Sequence, residues 1–200
     1  MSESLTVTNL SKKYNEKLII KDLSFSVDQG EVVTLFAPSG AGKSTLFQIL
    51  AGLDNDFQGD FLLKAHKLSI MFQTPRLFPY KTVRENILYP FNIKNESFSN
   101  ESYKEWLSIT ELEEYEHVYP YELSEGMKSK VSLIRSFLVT PDFIMMDEPF
   151  KSIDIKSEKI LIDYIKNKYP GVTILFVTHS LDDIILFHKM TLLVFKNFHF

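Results

Sequence analysis

The sequence predicts an α/β domain on three observations. An apolar strand at 31–36 runs into a glycine-containing turn and a helix at about 42–50. Two further apolar runs, at 143–146 and 172–177, have the length and bounding residues of buried strands. A helical pattern at about 155–168 separates them. Ahead of this core, the alternation Leu5-Thr6-Val7-Thr8 and the runs Leu18-Ile19-Ile20 and Leu23-Ser24-Phe25-Ser26-Val27 read as strands, with Asp28-Gln29-Gly30 as a turn. From Thr82 to about Leu138 the pattern becomes helical and polar, with Tyr103, Trp106 and Leu107 at helix-compatible spacing and an acidic stretch at 111–116. This stretch reads as a helical insertion, not as a separate domain. The apolar segment 190–195 reads as a last strand.

Composition limits what such a domain can do. At 200 residues, 44% of them hydrophobic, the chain suits one well-cored domain. Its net charge of −4 gives no overall electrostatic footprint for nucleic acid. With no cysteine, disulfides, thiolate catalysis and Cys-ligated metals are excluded. No window approaches the roughly 20 apolar residues that a spanning helix needs, and 1–13 carries no apolar leader core.

The chemistry concentrates in five short segments: Gly40-Ala41-Gly42-Lys43-Ser44-Thr45, Gln73, Leu123-Ser124-Glu125-Gly126-Met127, Met146-Asp147-Glu148-Pro149 and Thr178-His179. A bare Gly-Lys-Ser triplet arises by chance too often to carry a reading, so the ordered set carries it. Between a strand and a helix, Ser39, Gly40, Ala41, Gly42, Lys43, Ser44 and Thr45 would turn successive backbone N–H groups inward, where the helix dipole also favours anions. Lys43 would reach the β- and γ-phosphates of a nucleotide, and Ser44 would give its hydroxyl to Mg²⁺. Taken singly, each motif has a plainer reading: a surface turn, solvated acids at a strand end, a solvated Gln73 amide, a structural His179 or a packed Tyr14.

Together the segments resemble the ATP-binding cassette family, the ATPase subunits of ABC transporters, from Tyr14 to about Phe195. The resemblance implies a P-loop NTPase (RecA-like) core over 1–200, with an N-terminal antiparallel β subdomain, an inserted α-helical subdomain at about 82–138 and no regulatory C-terminal domain. It implies ATP and Mg²⁺ as ligands, with Asp147, Ser44 and Gln73 at the metal. Glu148 would orient or deprotonate the attacking water, and His179 would contact the γ-phosphate. Tyr14 would stack on adenine through its ring face. Ser124 and the Gly126 N–H would close on the γ-phosphate held by a second ATPase subunit, giving a homo- or heterodimer. Ser152-Ile153-Asp154 matches the family's D-loop, and a turn capped by Asp154 is an equal reading.

Tyr119-Pro120-Tyr121-Glu122 and Asp147-Glu148-Pro149-Phe150 resemble importers of the nitrate, sulfonate, taurine and thiamine-precursor group. The implied setting is the cytoplasmic face of a membrane, docked on an integral permease near 73–89, with an extracytoplasmic solute-binding protein acting indirectly. A regulatory or mechanical ATP switch, or a nucleotide-binding subunit of low turnover, are the alternatives. Two departures from the family pattern stand out. Ala37 replaces the first glycine of Walker A, and Glu125 places a carboxylate in the signature, where it opposes closure on a triphosphate unless a cation such as Lys128 pairs with it.

Overall fold

The computed structural model of the protein describes residues 2–36, 40, 42–178 and 191–194, the last four by backbone alone. The chain forms two compact units, one from Met1–Ile70, Asp142–Glu148 and Gly171–Phe200, the other from Met71–Pro141 and Pro149–Pro170.

The first unit holds both sheets. Strands β1 (Glu3–Tyr14), β2 (Lys17–Asp28) and β4 (Gln58–Leu63) form an antiparallel sheet in the order β2-β1-β4. A second sheet, in the order β5-β6-β7-β3-β8, contains β3 (Val32–Phe36), β5 (Leu68–Met71), β6 (Phe143–Asp147), β7 (Thr173–Thr178) and β8 (Thr191–Val194). Here β6, β7, β3 and β8 pair in parallel. Every residue of β6 and β7 is buried, which is why both read as unbroken apolar runs without alternation. Helix α1 (Lys43–Leu50) packs against β6, burying Leu46, Phe47, Ile49 and Leu50. Each of these side chains contributes about 1.5–3 kcal/mol by leaving water.

The early segments at 18–20 and 23–27 are one strand, not two. The ladder absorbs the polar pair Lys21-Asp22 between the two apolar runs in an irregularity. Asp22 adopts φ 44°, its N–H donates to Ser11 Oγ at 2.8 Å, and the β1–β2 register shifts between Val7 and Leu10 and again between Leu10 and Lys12. The strand β4, which the sequence did not suggest, is largely exposed and carries Gly59, so it shows no clean alternation.

The second unit is helical. It contains α2 (Val83–Lys94), α3 (Asn100–Thr110), α4 (Glu125–Leu138) and α5 (Ile155–Lys168). A reciprocal capping box between Thr82 and Glu85 starts α2. Tyr103, Trp106 and Leu107 form the buried face of α3, as their spacing predicts. Trp106 meets Tyr164 edge-on at 4.8 Å and donates its indole N–H to Tyr169 Oη at 2.9 Å. Within the mainly helical pattern of 82–138, the acidic stretch at 111–116 lies between α3 and the next helix. Glu111 ends α3 in the left-handed region at φ 59°, and Glu113–Tyr115 is a single 3-10 turn. Glu116, at its end, accepts from Arg84 Nη1 and from Tyr103 Oη, both at 2.9 Å.

Candidate functional site

Parallel pairing brings the chemistry of the first unit to one edge of the sheet. Phe36 lies opposite Thr178 and Asp147 opposite Val177, so β3, β6 and β7 end level. In sheets of this kind ligands bind outside the carboxyl ends of the strands. Glu148 is the first residue beyond β6. Its N–H donates to Val177 O at 2.8 Å, and its φ is 46°, in a region that crowds any Cβ.

The turn after β3 leads into α1 through Gly42, the N-cap, at φ 80°. Only glycine suits this position, since a Cβ there would also lie 2.9 Å from Ile19 Cγ2 and 3.2 Å from Ile19 O. No side-chain hydrogen bond caps α1 and no acidic residue lies in its first turn, so the positive end of the helix dipole there favours an anion. Lys43 is 7% exposed and Asp147 6%. Burial pushes the Lys43 ammonium down from its ordinary range, while the charges of Glu148 and Asp147 work in the opposite direction. Ser44 Oγ lies 3.5 Å from Asp147 Oδ2, at the long limit of a hydrogen bond. A hydroxyl and a carboxylate so placed offer an all-oxygen donor set, the chemistry that Mg²⁺ prefers. Lys43, Ser44, Asp147 and Glu148 are thus brought together, with Thr45 next to them on α1 and Gly40, at φ 81°, in the turn. Ser39 and Ala41, His179, and the departure at Ala37 all lie outside the described residues.

Tyr14 ends β1, where it is 44% exposed. Its hydroxyl donates to Asp54 Oδ2 at 3.0 Å, and Lys12 Nζ lies over its ring, 4.8 Å from the centroid. Sequence reasoning did not single out Lys12 or Asp54. The position of Lys12 two residues before Tyr14 was the one available signal.

Gln73, Ser124 and Gly126 belong to the helical unit. Gln73 is exposed and lies two residues past the end of β5. Ser124 is the N-cap of α4, its Oγ accepting from the Met127 N–H at 3.2 Å, which leaves its own O–H free to donate elsewhere. Glu125 opens the helix and is held by Lys128, whose Nζ donates to Glu125 Oε1 at 2.6 Å. Gly126 packs directly on the backbone of Ser152, whose carbonyl oxygen would lie 2.5 Å from any Cβ at that position. Asp154 caps α5, accepting from the Ser157 N–H at 3.0 Å.

Comparison with known proteins gives a consistent result. The family model described as ABC transporter matches residues 20–151. An aliphatic sulfonates import ATP-binding protein from Bacillus cereus is 33% identical over 195 residues, covering 91% of this chain and 77% of its own length. An Fe(3+) ions import ATP-binding protein from Fusobacterium nucleatum is 32% identical over 200 residues, covering 92% of this chain and 53% of its own length. Among solved structures, the dimeric structure of a bacterial ABC transporter cassette superposes with a TM-score of 0.79 at 26% identity, covering 95% of this chain and 94% of that one.

Proposed function

The chain belongs to the ABC transporter family as an ATP-binding subunit of the import type, and from that premise we propose that it hydrolyses ATP with Lys43, Ser44, Asp147 and Glu148 as its working residues. The single observation that supports this assignment most is the convergence of one buried cation, one hydroxyl and two carboxylates at the level ends of β3, β6 and β7.

In this reading the Lys43 ammonium opposes charge on the β- and γ-phosphates, helped by the first-turn amides of α1. Ser44 and Asp147 would hold Mg²⁺, which offsets phosphate charge when bound. The Glu148 carboxylate accepts a proton from the attacking water as the new O–P bond forms and the bond to the ADP oxygen breaks. Its N–H···O bond to Val177 fixes its backbone to the next strand, so the carboxylate is presented from a rigid element. The roles of Gln73, His179, Ser124 and Gly126 rest on the family resemblance. So do the cytoplasmic position and an extracytoplasmic solute-binding protein.

The subunit works in a dimer and serves a membrane permease. No helix among the described residues is long and apolar enough to cross a membrane. Relatives of almost equal identity are named for aliphatic sulfonates and for Fe(3+), so likeness at this level does not select the solute. A small anionic or thiamine-precursor-like solute is the finer proposal, resting on the 119–122 and 147–150 motifs.

Single-turnover hydrolysis tests the assignment. Glu148→Gln keeps shape but loses the basic oxygen, so it should bind ATP as wild type does and hydrolyse it at least about a hundredfold more slowly. Unchanged single-turnover rates would remove Glu148 from the mechanism.

A further inference from the structure

Tyr14 is anchored on one side by a charge cluster that the catalytic chemistry does not use. Lys12, 2% exposed, donates to Asp54 Oδ1 at 2.9 Å, to Asp56 Oδ2 at 3.3 Å and to the Asp56 carbonyl. Asp54 Oδ1 also accepts from the Asp56 N–H at 3.0 Å, while Asp54 Oδ2 takes the Tyr14 hydroxyl at 3.0 Å. Both oxygens of Asp54 are therefore committed, and the carboxylate joins the end of β1 to the segment just beyond α1, where the Asp54 N–H donates to Gln48 O at 3.3 Å. Burial works against the Lys12 charge, and the bonds to Asp54 and Asp56 outweigh it, holding the ammonium above its ordinary range. Lys12 and Asp54 thus form a fixed ion pair.

We propose that Asp54 and Lys12 are positioning residues for the nucleotide base: Asp54 fixes the Tyr14 ring by its hydroxyl, and Lys12, lying over one face, leaves the opposite face as the platform for a purine. Tyr14 is the last residue of β1 and pairs with Lys17 across the hairpin. Two residues on, Ile19 touches the Gly42 position at the start of α1, so this hairpin end borders the phosphate-binding turn. Without its anchor, a half-exposed ring at a hairpin end must be ordered at the moment of binding, and pre-ordering it improves affinity. A hydroxyl and its acceptor are needed for this, where stacking alone would accept any aromatic ring.

The inference rests on the reading that Tyr14 stacks on adenine, and the experiment separates the two. ATP and inorganic tripolyphosphate are titrated calorimetrically into wild type, Tyr14→Phe, Asp54→Ala, the double variant and Tyr14→Ala. Tyr14→Phe and Asp54→Ala should each weaken ATP about three- to tenfold, the double variant should be no worse than either alone, and tripolyphosphate affinity should be unchanged throughout. ATPase assays should show KM raised by the same factor with kcat preserved. Because Lys12 loses a buried partner in Asp54→Ala, that variant can fail to fold; Tyr14→Phe, which keeps the Lys12–Asp54 pair, then decides alone. Tyr14→Phe with wild-type ATP affinity, additive losses in the double variant, or parallel losses for tripolyphosphate would each overturn the positioning role. If Tyr14→Ala binds ATP as wild type does, adenine stacking itself is wrong, and the inference falls with it.

Discussion

Lys128 Nζ sits 2.6 Å from Glu125 Oε1, one turn along α4, so the carboxylate that departs from the family signature carries its own counter-cation. Glu125 is 68% exposed and Lys128 24%, so the pair is screened and its own contribution to stability is small. In the proposed dimer its consequence would lie in closure, where an unpaired carboxylate would face the triphosphate of the second subunit. In a Glu148→Gln background, Lys128→Ala should weaken ATP-dependent dimerisation about two- to fivefold in sedimentation at low salt, and further mutation of Glu125→Gly should restore it. With Lys128 present, Glu125→Gly should change little. A large gain from Glu125→Gly alone would mean that the pair does not neutralise the charge.

Gly126→Ala should be costly although it adds one methyl group to a helix. The new Cβ would lie 2.5 Å from the Ser152 carbonyl oxygen, so either α4 or the turn before α5 must move, at about 1–3 kcal/mol. A lower melting temperature together with reduced turnover is expected, and Gly126→Ser should be at least as severe. Wild-type stability in Gly126→Ala would show that the Ser152 turn yields freely.

Glu148 occupies left-handed backbone at φ 46°, a conformation that costs a side-chain-bearing residue about 1–2 kcal/mol. Glu148→Ala and Glu148→Gly both remove the carboxylate, yet only glycine relieves the crowding. The glycine variant should therefore melt about 2–4 °C above the alanine variant, with hydrolysis lost in both. Equal melting temperatures would mean that the strain is not expressed in stability.

How much of this was legible in the sequence depends on burial. The apolar runs of β6 and β7 and the helix α5, which spans Ile155–Lys168 as its pattern indicates, are visible because they are buried or strongly periodic. Lys43, Ser44, Asp147 and Glu148 could be chosen from motifs, but their meeting at one edge depends on strand order, which no local pattern contains. Asp22 shows the opposite limit, since the polar pair Lys21-Asp22 splits into two apolar runs what is one strand, the Asp22 N–H being received by Ser11. Lys12 and Asp54 were missed because charged residues are assigned to solvent by default, whereas here Lys12 is buried and paired.

The helical unit should show its own acid sensitivity. Burial of Glu116 favours its neutral form, but the hydrogen bonds from Arg84 and Tyr103 outweigh this and hold its carboxyl below the ordinary 4.5. A depressed folded-state value stabilises the protein above about pH 4.5 and loses that contribution as pH falls through the folded value. Glu116→Gln, which cannot ionise, should melt about 2–4 °C below wild type at pH 7, and the gap should narrow steadily as the pH is lowered from 4.5. A gap independent of pH would place the effect in packing, not in charge.

The most direct measurement is a calorimetric titration of ATP with Mg²⁺ into wild type and Lys43→Ala. Lys43 is buried, and the charges of Glu148 and Asp147 favour its ammonium form against that burial, so its removal takes away a cation placed to oppose phosphate charge. Saturable one-to-one binding by wild type, with a loss of at least about a hundredfold in Lys43→Ala, is the expected result. Equal affinity in the two proteins, or no binding by wild type, would contradict the assignment of nucleotide binding to this edge of the sheet.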